Sequence, residues 1–133
     1  MQSKKPIYKK AFEPIGTYEE STWMGNDTPF METEYTGVFR DKYPCTPGHT
    51  LFIPKKNTPE YVGQSYGLAY EYGNNKVKEG KMMGFNVGMN IGLCAGQTIM
   101  WPHIHFIPRH EGDSEHHGGM RYAHPSADHN HYY

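Results

Sequence analysis

Apolar and polar residues alternate most strictly at Trp101-Pro102-His103-Ile104-His105-Phe106. Successive side chains of an extended strand point to opposite faces, so His103 and His105 share a face with Trp101, while Met100, Pro102, Ile104 and Phe106 form the other. Pro102 has no N–H to give to a ladder, so this strand is expected to be bulged or at an edge near that point. The same period of two predicts a strand over 32–40, where Thr33, Tyr35, Gly37 and Phe39 alternate with Glu32, Glu34, Thr36 and Val38. Its start carries both glutamates, so its second half should be the better buried. His49 to Pro54 is a β-rich run suited to a sheet interior, and Phe85 to Asn90 is a further strand. One segment has a helical period instead: Tyr61, Val62, Ser65, Leu68, Ala69 and Tyr72 recur at helical spacing after a Thr58 N-cap, Pro59 at the first helical position and Glu60 in the first turn. Gly63 and Gly67 each weaken that helix by about 1 kcal/mol relative to alanine. Gly73 is its natural stop, and its tyrosines read as core packing.

The segments between these elements are rich in breakers. Residues 1–20 hold two prolines, scattered lysines and no clear period, which predicts an extended arm, either a surface tail or a subunit contact. Glu20 to Phe30 reads as a loop, with Gly25-Asn26-Asp27 as its turn and Pro29 opposing a helix. Asp41 ends the strand over 32–40, and Pro44 and Pro47 force a turn into His49. Between the last two strands, Gly92 to Thr98 is small and glycine-punctuated, which lets backbone N–H groups approach a ligand. Two imidazoles beside such an amide nest point to a phosphate site.

At 133 residues the chain is long enough for one domain with a real core. A formal net charge of −1 and scattered lysines give no electrostatic case for nucleic-acid binding. Eleven tyrosines, six phenylalanines and eight methionines predict an aromatic-rich core. Cys45 and Cys94 form no CxxC pair, no secretory apolar run follows Lys4-Lys5, and no stretch approaches the roughly 18 apolar residues of a membrane span. The expectation is a soluble, cytoplasmic protein with reduced cysteines and no membrane partner. The end of the chain carries His110, His116, His117, His124, His129 and His131. Their spacing matches no closed four-ligand pattern, which leaves a surface segment with adventitious metal affinity or a dedicated metal site.

The run AGQTIMWPHIHFIPRHEGD resembles the signature of the histidine-triad (HIT) family, whose core reads His-x-His-x-His, often with AGQ before it and IPR after. Counted back from IPR, the triad positions are 101, 103 and 105, and the first is Trp101. Upstream, Val38 to Pro44 and then PGHTLFIPKK over 47–56 resemble the family's earlier block, an aspartate followed by a PGHTLVIPK-like strand. Downstream, GDSEHHGGMRYAHP is similar to the close of a bacterial or phage branch. Together these blocks cover roughly residues 35–125.

The resemblance implies an α+β, HIT-like fold, an antiparallel sheet of about five strands with packed helices, commonly paired as a homodimer. The chain then divides into an arm over 1–20, a HIT-like domain over 21–125 and a tail over 126–133. It implies a nucleotide hydrolase or nucleotidyl transferase acting at the α-phosphate of a purine nucleoside polyphosphate, dinucleoside polyphosphate or phosphoramidate, with no cofactor. His103 would be the nucleophile, its other ring nitrogen held by the main-chain carbonyl at position 101, so that histidine-to-tryptophan replacement need not abolish catalysis. His105, Thr98 and the Gly96 amide would donate to phosphate oxygens, Asn90 would fix the phosphate or its leaving group, and Gln97 falls on a matching family position. Asp41 would bind the two ribose hydroxyls, against the plainer reading of a strand-end turn former. His49 matches a recurrent family histidine, with packing an equal alternative, and Arg121 is a further candidate for a phosphate. Two rivals stand beside this reading: a nucleotide-binding module that has lost turnover, and a metal-binding or structural protein using its histidine-rich end.

Overall fold

A computed structural model describes residues 12–114 and 119–128. Five strands, β1 (Met31–Glu32), β2 (Thr36–Arg40), β3 (Thr50–Pro54), β4 (Gly84–Gly88) and β5 (Ile104–Arg109), form one antiparallel sheet in the order β1-β2-β3-β5-β4. Two helices accompany it, α1 (Thr22–Asn26) and α2 (Pro59–Lys78). This is the α+β architecture with about five strands that the sequence implied. His116, His117, His129 and His131, four of the histidines expected at the metal-affine end, lie outside the described residues.

The period of two sorts side chains onto two layers. Val38, Phe52, Ile104 and Phe106 pack on one face with Ala69, Tyr66, Leu68 and Tyr72 of α2. Phe39, Leu51 and Ile53 face the other way, where Tyr18, Trp101 and the half-buried Ile15, Trp23 and Met24 cover them. The second layer is contributed by the segment expected to be an arm and a loop. From Phe12 on, that segment lies on its own chain: the Phe12 amide donates to the Thr98 carbonyl at 2.7 Å, Pro14 bridges Met100, and Tyr18 is buried.

The expected strands over 49–54 and 85–90 are found at Thr50–Pro54 and Gly84–Gly88, and four larger differences each have a local reason. The strand over 32–40 is broken by a turn, because Thr33 Oγ1 accepts from the Tyr35 and Thr36 amides at 3.2 Å and its own amide donates to the Thr36 carbonyl. The loop over 20–30 contains α1, started by the buried Ser21, whose Oγ accepts from the Met24 amide. Pro29 lies beyond the last turn and does not oppose it. The ladder of β5 begins at Ile104, after Pro102, so the proline needs no bulge and β5 runs between β3 and β4 rather than at an edge. Lastly, α2 continues past Gly73 to Lys78.

Gly73 is a packing glycine. A Cβ there would meet the Phe85 ring at 2.5 Å, and that ring is already stacked on Phe106 with centroids 5.1 Å apart. A Cβ at Gly63 or Gly67 would meet nothing within 4 Å. Gly63→Ala and Gly67→Ala should therefore each stabilise by about 1 kcal/mol in urea unfolding. Gly73→Ala should instead lose stability, because overpacking costs about 1–3 kcal/mol against the same gain in propensity.

Candidate functional site

On the face of the sheet opposite α2, a cavity of about 190 Å³ opens between the end of β2, the loop after β4 and the start of β5. Asp41, Asn90, Gly96, Thr98, His103 and His105 line it, six of the seven residues that the sequence singled out. Gln97 does not: its Oε1 accepts from the Gly92 amide at 2.9 Å and its Nε2 donates to the Ile99 carbonyl at 3.1 Å, so it braces the loop. Arg121 lies in the turn Met120–Ala123 and is not among the lining residues.

Part of the expected amide nest over 92–98 is engaged within the loop itself. The Ala95 and Gln97 amides donate to the Gly92 carbonyl, and the Gly96 amide donates to the Leu93 carbonyl at 3.0 Å. The Gly96 N–H is thus already engaged, and what Gly96 gives the cavity is room. It stands beside Asn90 with φ +92°, a conformation that strains any L side chain.

Trp23 is a lining residue that the pattern of alternation does not reveal. It sits on α1 with its ring centroid 4.9 Å from that of His103, at a tilt of 48°. The Ser21 N-cap before Thr22-Trp23-Met24 was the signal that could have found it.

Hydrogen bonds fix the tautomer of each imidazole. His103 Nδ1 lies 2.8 Å from the Trp101 carbonyl oxygen, which can only accept, so Nδ1 carries the proton and Nε2 holds a free lone pair. The Trp101 side chain takes no part in the cavity. It is buried, and its indole N–H donates to the Pro54 carbonyl at 2.9 Å. On the neighbouring pair, the Cys45 amide donates to His49 Nδ1 at 3.1 Å, which leaves the His49 proton on Nε2. His49 Nε2 is 2.9 Å from His105 Nδ1 and 3.3 Å from Asp41 Oδ2. His105 must then accept on Nδ1 and carry its own proton on Nε2. The two strand histidines therefore offer opposite functions, a lone pair from His103 and an N–H from His105.

Electrostatics hold both in these states. Burial pushes the His103 pKa below its usual value, against the opposing pull of the Trp101 carbonyl and Asp41. His105 is pushed down to about 4, first by burial and then by the neighbouring His103 and His49. His49 is lowered as well, by burial, with Asp41 opposing. All three rings are neutral at physiological pH.

Asp41, His49 and His105 form the one group of side chains, among the described residues, whose ligand atoms lie within 4.8 Å of one another and are close enough to share a metal ion. The donor chemistry does not fit. A ligating His49 Nε2 would need its proton on Nδ1, and that position faces the Cys45 N–H.

Comparison with known proteins places the chain in a family. The HIT domain profile matches residues 25–112, and the chain belongs to the histidine-triad family. An uncharacterized HIT-like protein of Methanocaldococcus jannaschii is 32% identical over 90 residues, 63% of this chain and 70% of that protein. The bis(5'-nucleosyl)-tetraphosphatase of Schizosaccharomyces pombe is 29% identical over 91 residues, 63% of this chain and 50% of the relative. The crystal structure of a zinc-bound histidine triad family protein from Mycobacterium smegmatis superposes with a TM-score of 0.58 at 32% identity, covering 63% of this chain and 66% of that one. The match thus spans between half and 70% of the length of these proteins.

The neutral rings make stability depend on pH with a definite sign. Unfolded histidines titrate near 6.5, above their folded values, so below that pH the unfolded chain takes up protons that the folded chain refuses. Stability should be at its full level above about pH 7 and fall as pH drops from 6.5 toward 4, read by thermal unfolding across that range. His105→Gln should flatten part of this slope.

Proposed function

We propose that this chain is a nucleotide hydrolase or nucleotidyl transferase that attacks the α-phosphate of a purine nucleoside polyphosphate, dinucleoside polyphosphate or phosphoramidate and forms a nucleotidyl-histidine on His103. The observation that carries this reading is the Nδ1–H bond from His103 to the Trp101 carbonyl, which leaves Nε2 as a lone pair on a cavity-lining, neutral imidazole. The tetraphosphatase among the relatives supports the substrate class.

In this mechanism His103 Nε2 bonds to phosphorus as the leaving group departs with its electron pair, and water then cleaves the phosphorus–nitrogen bond. The N–H on His105 Nε2 donates to a phosphate oxygen as charge develops, with Asn90 and Thr98 alongside. Asp41 receives the ribose hydroxyls through charge-assisted bonds, and Trp23, Leu51 and Ile99 give the base an apolar wall. The rival without turnover rested on the tryptophan at position 101. The acceptor that fixes the His103 tautomer is a main-chain oxygen, and it is kept.

The homodimer belongs to the same proposal and is supported by β4 lying at the sheet edge among the described residues and by the exposed Ile91 and Leu93 that follow it. A cytoplasmic setting suits Cys45 and Cys94, both free and exposed. No helix among the described residues is long and apolar enough to cross a membrane.

The test is release of adenosine monophosphate from diadenosine polyphosphates and from adenosine 5'-phosphoramidate. His103→Ala should lower turnover by about four orders of magnitude or more, and His105→Gln by about 10²–10³-fold. Tight nucleotide binding without release by the unaltered protein would establish the rival instead. Trp101→Phe should keep most of the activity. It should lose about 1–3 kcal/mol of stability, because the Pro54 carbonyl is left without its donor.

A further inference from the structure

His49 is buried, does not line the cavity and has no part in the reaction as proposed above. One hydrogen bond and one close polar contact of its ring nevertheless join the two ends of the site. The proton on Nε2 is hydrogen-bonded to His105 Nδ1 at 2.9 Å, and Asp41 Oδ2 lies 3.3 Å from the same nitrogen without a hydrogen bond to it. The Cys45 amide at Nδ1 denies the ring any second proton to share. An N–H serves one acceptor well at a time, since hydrogen bonds weaken with distance and misalignment. How fully that proton is given to His105 therefore depends on how strongly the nearby Asp41 carboxylate pulls on it.

Asp41 is already oriented for an incoming donor. Its Oδ1 accepts from the Tyr43 amide at 2.8 Å, and the side chain keeps about 15% exposure on the cavity wall. When two hydroxyls donate to this carboxylate, its charge is shared among more donors and Oδ2 becomes a weaker acceptor toward His49. The His49 proton, already bonded to His105 Nδ1, is then held there with less competing pull. Chains of hydrogen bonds polarise one another, so a fuller bond at Nδ1 makes the N–H at His105 Nε2 a stronger donor.

We infer that His49 is a positioning residue that couples recognition of a vicinal sugar diol at Asp41 to the strength of His105 as the phosphate-directed donor. The inference rests on the catalytic reading of this site and adds to it a selection rule. Ribonucleotides are favoured in the chemical step as well as in binding, because the diol completes the donor.

The experiment compares adenosine 5'-phosphoramidate with its 2',3'-dideoxy analogue at saturating concentration, in the unaltered protein and in His49→Gln. A glutamine amide has two N–H groups and can serve Asp41 and His105 independently, which removes the competition. In the unaltered protein the dideoxy substrate should lose about tenfold in kcat beyond any rise in KM. In His49→Gln the ratio of the two kcat values should fall close to one while the difference in KM remains. A kcat ratio near one in the unaltered protein, or an unchanged ratio in His49→Gln, would overturn the coupling. A second readout does not need turnover: the ¹⁵N resonances of the His105 ring on addition of adenosine monophosphate or its 2',3'-dideoxy form. Should the protein release no product from either substrate, the catalytic proposal fails by itself. The coupling is then decided by those resonances, which should move for the ribose ligand and not for the dideoxy one. Equal shifts, or none, would overturn it.

Discussion

Three residue pairs between β3 and β5, Thr50 with Phe106, Leu51 with His105 and Phe52 with Ile104, decide which side of the sheet becomes core and which becomes site. Side chains alternate with a period of two, so a slip of one residue in this register would send both histidines under α2 and bring Ile104 and Phe106 into the cavity. The aromatic packing around Phe106 opposes such a slip. Its ring meets Phe52, Tyr72 and Phe85, with centroids 5.1–6.0 Å apart, and it is fully buried. The apolar layer is thus what holds the polar one in register.

On the polar side, main-chain groups determine the protonation pattern. One carbonyl, from Trp101, and one amide, from Cys45, set the proton positions of three imidazoles. Neither depends on the identity of the side chain that bears it, and both are held by local structure. The Cys45 amide lies in the turn between Pro44 and Pro47, and the Trp101 carbonyl sits beside an indole tied to the end of β3. Burial completes the arrangement by keeping the rings uncharged. A charged ring at His105 would place a second N–H against the His49 proton, in keeping with its pKa near 4.

Much of this was legible in the sequence, and the parts that were not share a cause. Alternation at 101–106 placed His103 and His105 on the Trp101 face, and the Thr58-Pro59-Glu60 start of α2 followed from capping chemistry alone. Local chemistry could not show where that helix ends, because what suits Gly73 to its place is the Phe85 ring arriving from β4. Similarly, nothing in the composition of residues 12–26 revealed that Tyr18 and Trp23 would cover the open face of β2 and β3; that need is visible only once the sheet exists. The Gly92–Thr98 loop was legible only in part. Its glycines marked a tight turn, but the Ala95, Gly96 and Gln97 amides within it are engaged by the loop's own carbonyls. Small residues in a loop report backbone freedom, and they do not report which way the N–H groups face.

The indole at position 101 carries a lesson about how such sites can be recognised. What the neighbouring imidazole takes from that position is an oxygen every amino acid possesses, so the side chain there is free to tie the approach to β5 to the end of β3. In the proposed reaction, a motif defined by three histidines mixes one backbone requirement with two side-chain requirements. Searches that demand all three rings would pass over chains built like this one, whereas a pattern written in terms of the atoms actually used would find them.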